Sequence, residues 1–307
     1  MRTAFIQELC ALAEQDERIW LVCGDLGYSV LEAFADRFPS RYLNAGVAEQ
    51  NMTGIAAGLA LTGKTVFTYS IANFPVMRCL EQIRNDVCYH NLNVKIVSVG
   101  GGLAYGSHGY THHGVEDLAV MSAMPNLAVA APGDPHEARA LTRLACTTHG
   151  PMYLRLGKAG EPLLHAGPLE LAPGQSIQIC SGSDATLIST GGMLATTLAA
   201  AQQMQAVGKS IRVLSMPFLV PLDAQAILAA AAETSVIVTV EEHGPGGLGT
   251  LVAEVLACSG RAIRFHSMRL QRSPIKTAGN QEQLRAKNRL GIADVVSCTE
   301  RLLQGAI

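Results

Sequence analysis

One carboxylate, Glu49, stands in the run Asn44-Ala45-Gly46-Val47-Ala48-Glu49-Gln50-Asn51, where an irregular stretch gives way to an apolar segment. Residues 52–61 carry Ile55, Ala56, Ala57, Leu59, Ala60 and Leu61 around Gly54 and Gly58. A helix apolar all round is packed inside a protein. A carboxylate at its edge is partly desolvated, which favours a group that holds or shares a proton near neutrality and so does acid–base chemistry. The competing reading is an ordinary acid in a first helical turn, where the macrodipole welcomes negative charge. This segment alone leaves both open.

A second group of candidates lies in Tyr105-Gly106-Ser107-His108-Gly109-Tyr110-Thr111-His112-His113-Gly114, with Glu116 and Asp117 just beyond. His108 and His112 have the i, i+4 spacing of a helical zinc site. Gly106, Gly109 and Gly114 oppose a helix there. Imidazoles on such a loop more naturally donate hydrogen bonds to ligand hydroxyls or phosphates, or shuttle protons. Metal ligation and plain loop structure are the alternatives. Glu116 and Asp117 read as first-turn acids of a helix over 118–124.

Arg155, in Tyr153-Leu154-Arg155-Leu156-Gly157-Lys158, is either a surface arginine or a planar clamp for phosphate or sulfonate. The loop Val240-Glu241-Glu242-His243-Gly244-Pro245-Gly246-Gly247-Leu248-Gly249 reads as a packing turn at a subunit contact, with catalysis as the lesser alternative. Arginines and lysines after residue 260 are interleaved with apolar residues, which is the pattern of a solvated face. Gly100-Gly101-Gly102 is neither a dinucleotide fingerprint nor a P-loop, lacking the following glycines or the Gly-Lys-Ser/Thr.

These residues need elements to position them. Short β-branched runs at 19–23, 65–69, 95–99 and 128–130 alternate with helical patterns at 52–61, 76–89 and 135–149. Such alternation predicts an α/β protein with largely parallel, doubly wound sheets. A Gly/Pro-rich stretch follows, and the alternation then resumes with strands at 185–189, 210–215, 236–241 and 262–266. The expected division is a first domain over 1–160, a linker over 161–176 and a second domain over 177–307. In open α/β sheets ligands bind beyond the carboxyl ends of the strands. Cys23–Ser29, Tyr69–Phe74 and the glycine–histidine loop all fall at such ends.

The composition excludes several classes. Of 307 residues, 49% are hydrophobic and only 16% charged, and the net charge is −2. Nothing points to nucleic acid or an anionic membrane. No apolar run is long enough to span a bilayer, and the amino-terminal 20 residues read as an amphipathic helix rather than a signal peptide. The eight cysteines contain no C-x-x-C pair, which fits free thiols in a reducing cytoplasm. The low charged fraction suggests surface covered by partners.

Taken together, G-D-L-G-Y-S, N-A-G-V-A-E-Q-N, T-Y-S-I-A-N-F, the G-L-A-Y-G-S-H-G-Y-T-H-H-G-V-E-D-L loop, the Pro125–Asp134 run and Y-L-R-L-G-K resemble the transketolase family of thiamine diphosphate enzymes. Their order and spacing hold over residues 1–160, and the second half resembles the family's carboxy-terminal domain more weakly. The resemblance implies a pyrimidine-binding domain followed by that domain. The family's G-D-G…N motif, which holds Mg2+ or Ca2+ and the diphosphate, is not found: Gly24-Asp25 and Gly133-Asp134 are the only Gly-Asp pairs. The chain therefore looks like the second subunit of a split transketolase, acting with a diphosphate-binding partner in a hetero-oligomer and transferring a two-carbon ketol unit from an anionic ketose to an aldose. By the same resemblance, Glu49 matches the glutamate that bonds N1′ of the cofactor's aminopyrimidine. Asp25 matches an acid near cofactor and donor. Ile71 and Phe74 match pyrimidine-stacking positions. His112 matches a substrate-contacting histidine, and Arg155 an arginine on the acceptor's distal phosphate. Arg2 and Ser29 match a further anion-binding pair.

There are departures. Ile71 and Met77 stand where aromatics are usual, so stacking is partly aliphatic. His108 replaces an aspartate that reads a sugar hydroxyl, which leaves the sugar and the anionic group open. A deoxyxylulose-phosphate synthase-like or 2-oxo-acid dehydrogenase beta-subunit-like carboligase is the alternative enzyme, and a regulatory or scaffold chain is the non-enzymatic one. The T-H-H-G-V-E-D loop argues against the first two, and Glu49, Asp25 and His112 against the third.

Overall fold

Strands covered by helices on both faces must be apolar along their whole length, and the central strands here satisfy that. In the computed structural model, which describes residues 1–305, β3 (Thr65–Ile71) is buried up to its last residue and β4 (Val94–Val99) throughout. Around them lie β1 (Ile19–Cys23), β2 (Tyr42–Asn44), β5 (Ala128–Ala130) and β6 (Met152–Leu156). The second half supplies β7 (Ile177–Cys180), β8 (Ala185–Ser189), β9 (Ile211–Ser215), β10 (Phe218–Val220), β11 (Val236–Val240) and β12 (Arg264–Met268). They form a seven-stranded sheet, β10-β5-β6-β4-β3-β1-β2, and a five-stranded sheet, β12-β11-β8-β9-β7. Among the described residues, only the β10–β5 and β7–β9 pairings are antiparallel. The α/β, largely parallel architecture is the expected one.

On one face of the larger sheet, the Arg2–Gln15 helix packs against the Pro135–Thr147 helix, with Arg143 Nη1 donating to Glu8 Oε1 at 2.9 Å. Asp134 caps the second helix, its carboxylate accepting from Glu137 N at 2.8 Å. Such a cap satisfies a donor the helix cannot pair internally. The Glu49–Leu61 helix lies on the other face.

Three differences from the sequence reading have physical causes. The Glu49–Leu61 helix buries Met52, Thr53, Ala56, Ala57 and Ala60 but exposes Gly54, Gly58 and Leu61, so it is not enclosed all round. The expected 76–89 helix breaks into Phe74–Met77, Leu80–Gln82 and a π-helical Ile83–Cys88. β10 crosses from the second half to extend the first sheet beyond β5, because a short Phe-Leu-Val run there completes an otherwise open edge.

Candidate active site

Parallel pairing sends β1, β3, β4 and β6 to end at one edge of the larger sheet. Glu49 sits there as the first residue of its helix, 2% exposed. Its Oε2 accepts from Arg78 Nη1 at 2.6 Å. Arg78 lies four residues beyond Phe74, a helical step, and its guanidinium carbon is 5.5 Å from the Phe74 ring centroid. Phe74 in turn meets His112 edge to face at 5.2 Å, and His112 lies 5.0 Å from His108. Tyr105 packs against His108 at 5.6 Å, with Lys158 Nζ 4.7 Å from the Tyr105 centroid. Segments far apart in the chain thus form one wall: carboxylate, arginine, aromatic ring, histidines. A groove of 570 Å³ touches this wall at Phe74 and Arg78 and is otherwise lined by Asn73, Met77, Tyr110 and His113 among others.

The histidines differ in environment. Burial, and then the neighbouring His108, push the His112 pKa below the usual imidazole value. His112 is therefore neutral at pH 7 and can accept or donate one hydrogen bond. His113 is 1% exposed, with neither ring nitrogen partnered, and burial lowers its pKa as well.

The remaining expected residues fall around the same edge. Asp25 follows β1 in a left-handed conformation (φ 57°), fixed by Asn44 Nδ2 donating to its Oδ1 at 2.8 Å. Asn and Asp tolerate this region better than other side chains. Ser29 is also left-handed (φ 62°), its amide donating to Glu32 Oε1 at 2.8 Å. Arg2 opens the first helix, and its charge reaches Tyr69 and Tyr105. Ile71 closes β3, half-buried.

Arg155 lies deeper than the other expected residues. It is 6% exposed, with Nη2 donating to Gly114 O and, at 3.1 Å, to Glu242 O. Its Nε lies 3.0 Å from Asp117 Oδ2, which also accepts from Tyr153 OH at 2.6 Å. Its guanidinium is thus held by the interior, while the side chain also borders a cleft with Gly157, Thr190 and Gly191. Asp117 is the first-turn acid expected of its helix and is also the buried counter-charge of Arg155. The Glu241–Glu242–His243 corner packs within the chain, against the loop after β4. His243 Nε2 accepts from Leu118 N at 3.1 Å, and Gly244 N donates to Val115 O at 2.8 Å.

Away from this edge, Asp134, Glu137 and His165 cluster closely enough to suggest a metal. Their polar atoms are already satisfied. Asp134 accepts from Glu137 N, Leu164 N and His165 N, and Glu137 from Gly133 N, His165 Nε2 and Ser215 Oγ. The group ties the linker to both sheets.

Sequence reasoning missed Arg78, although its helical spacing from Phe74 was visible. It also missed the buried Asp117–Tyr153–Arg155 group, whose members look like surface residues until the two sheets meet.

The carboxyl edge of a parallel sheet, here with a buried carboxylate at a helix start, is where an α/β enzyme of this architecture places its ligand site. The family models agree: transketolase, pyrimidine binding domain matches residues 1–160, and transketolase, C-terminal domain matches residues 174–286. The chain belongs to the transketolase family. It is 39% identical, over 86% of both chains, to one subunit of the apulose-4-phosphate transketolase of Phocaeicola vulgatus. It is 34% identical to the 6-deoxy-6-sulfo-D-fructose transketolase subunit SqwH of a Clostridium species, over 83% of this chain and 80% of that one. A solved structure described as a split gene transketolase, inactive beta4 tetramer, superposes with a TM-score of 0.88 at 35% identity, covering 99% of this chain and 97% of that one. The chain spans most of the length of these transketolase subunits. Among the described residues, no helix is long and apolar enough to cross a membrane.

Proposed function

We propose that this subunit holds the pyrimidine end of thiamine diphosphate and, with a diphosphate-binding partner that carries the Mg2+ or Ca2+, transfers a ketol unit between sugars bearing a phosphate or sulfonate. The observation that carries the reading is the buried Glu49 carboxylate beside the Phe74–His112 wall. The residues fit the ring. A carboxylate with 2% exposure can share a proton with a ring nitrogen without competition from water. Phe74, with Ile71 and Met77, offers a stacking face. When bound, the cofactor supplies the nucleophilic carbon and the electron sink.

The chain's own residues divide the remaining work. Glu49 holds a proton at the pyrimidine N1′ and so selects the reactive tautomer. Arg78 orients that carboxylate. His112, neutral at pH 7, exchanges a proton with the sugar hydroxyl next to the reacting carbon, and His108 bonds a neighbouring hydroxyl. Asp25 bonds the donor side. With Arg155 paired to Asp117, Arg2 and Lys158 are further cations for the distal anion, and Ser29 is a candidate hydroxyl for it. The uncovered face of the Glu49–Leu61 helix and exposed Val47 suit the partner. Free thiols, most of them buried, support a cytoplasmic location.

The test is reconstitution with a partner chain carrying G-D-G…N, followed by a panel of phosphorylated and sulfonated donors. Two-carbon transfer by the pair, with none by this chain alone, is the expected result. Glu49→Gln should remove it; near-normal turnover in that variant would overturn the reading.

A further inference from the structure

The loop from Gly100 to Asp117 carries His108 and His112, yet much of what shapes it comes from the second half of the chain. The base is closed by Gly102 N donating to Gly114 O at 2.7 Å and Gly114 N to Gly102 O at 3.1 Å. Gly102 has φ 67° and lies so close to Glu242 that a Cβ would overlap its carboxylate. Glu242 is fixed from behind by Arg285, through Nε and Nη2 at 2.9 Å each, and by Gln281 Nε2 at 2.8 Å. The crown of the loop is seated too: Gly106 packs on Leu284, and Gly279 N approaches Gly106 O at 3.4 Å.

The exit of the loop is held by His243. Its Nε2 accepts from Leu118 N and, more distantly, Ala119 N, while its Nδ1 donates to Gly244 O at 2.9 Å. This fixes the tautomer with the proton on Nδ1. The first amides of a helix have no partners within it, so a neutral imidazole supplies one here. Glu241 does the same for the next helix, accepting from Leu248 N and Gly249 N at 2.8 Å each. The corner is thereby rigid before it meets the loop.

We propose that the Glu242–His243 corner of the carboxy-terminal unit is a positioning element for the substrate histidines, a mould that holds residues 101–118 in the shape that sets His112 against Phe74 and His108 against His112. This rests on the reading of those histidines as substrate contacts. It gives the carboxy-terminal unit a part in the reaction without any residue of that unit touching substrate. The groups facing His243 are Asp117, whose Oδ1 lies 3.7 Å away, and Arg155 through that carboxylate; Glu242 faces Arg285 and Gln281. Burial holds the His243 pKa down to about 4, so the acceptor form persists through the physiological range.

The decisive experiment is amide hydrogen exchange on the intact chain, followed by kinetics of the reconstituted pair. His243→Leu removes the acceptor, Glu242→Gln removes the charge facing Arg285, and His243→Gln keeps an acceptor. In the first two, peptides within 101–118 should exchange at least tenfold faster while β3 and β4 keep wild-type protection; His243→Gln should restore much of the protection. With the partner, the same two variants should raise the donor KM several-fold and leave the thiamine diphosphate requirement unchanged. Unaltered exchange over 101–118 in both variants would overturn the proposal. If His243→Leu loses protection throughout, Glu242→Gln alone decides. Loosened exchange without any ketol transfer by the wild-type pair would sink the assigned reaction and leave the mould standing.

Discussion

Glu49 and Arg78 form an unequal pair: the carboxylate is 2% exposed, the guanidinium 50%, and their Oε2 and Nη1 are 2.6 Å apart. The arginine can resolvate cheaply if its partner is lost, whereas the carboxylate cannot. Glu49→Gln should therefore leave stability within about 1 kcal/mol and lower turnover of the reconstituted pair by about 10²–10⁴-fold. Arg78→Met should lower turnover less and also destabilise the chain, since it strands a buried charge. Thermal unfolding beside steady-state kinetics checks both.

His108 and His112 are coupled through their 5.0 Å approach. Burial is the larger cause of the lowered His112 pKa and the His108 charge the smaller. His108→Gln should move the His112 pKa part of the way back towards 6.5 without reaching it. Titration of the ring carbon protons by NMR reads this directly. A shift to a lower value would show that the coupling is not electrostatic.

Two other histidines bracket the stability profile. For His165, burial acts to lower the pKa, but the Glu137 hydrogen bond and the Glu137 and Asp134 charges outweigh it, and the net shift is upward from 6.5. A raised folded pKa contributes stability that is full below 6.5 and is lost as pH rises through the folded value. His243 has the opposite sign: burial lowers it to about 4, so its contribution is full above 6.5 and drains as pH falls towards 4. Denaturant unfolding across about pH 4–9 should give a maximum in the mildly acidic to neutral range. His165→Gln should flatten the alkaline limb only, and His243→Gln the acid limb only.

Arg155 and Asp117 are buried together, with Tyr153 completing the group. Arg155→Met leaves an uncompensated carboxylate and should cost about 3–5 kcal/mol. Tyr153→Phe removes one donor and should cost about 1–3 kcal/mol. The two should not add, because they share Asp117. An Arg155 variant of wild-type stability whose only defect is affinity for the distal anion would restore the clamp reading.

Gly102→Ala combines a left-handed backbone with overlap on Glu242. It should destabilise the chain by more than about 1 kcal/mol and perturb the histidine loop. Gly109→Ala has the strained φ of 80° but no neighbour within 4 Å, so its cost should be that of the backbone alone. Comparing the two by unfolding separates steric from conformational terms.

Much of the candidate edge was legible in the chain itself. The period of the apolar runs fixed strands and helices, and parallel pairing fixed which loops meet, so Asp25, Ile71, Phe74 and the histidines converge as their order requires. Glu49 stands out by the motif around it rather than by its helix, since an acid in a first turn is ordinary. Local pattern, however, encodes only which face an element buries, and it says nothing about what a side chain meets across the fold. Arg155 and Asp117 have the look of surface residues, and the Glu242–His243 corner that of a loop open to a partner. Only the docking of the second sheet onto the first removed them from water, and in a dry contact charges must pair. That is why the sequence by itself determined the family and which loops meet at one sheet edge, while the tertiary structure decided that Arg155 pairs with Asp117 and that the histidine loop packs against the far half of the chain.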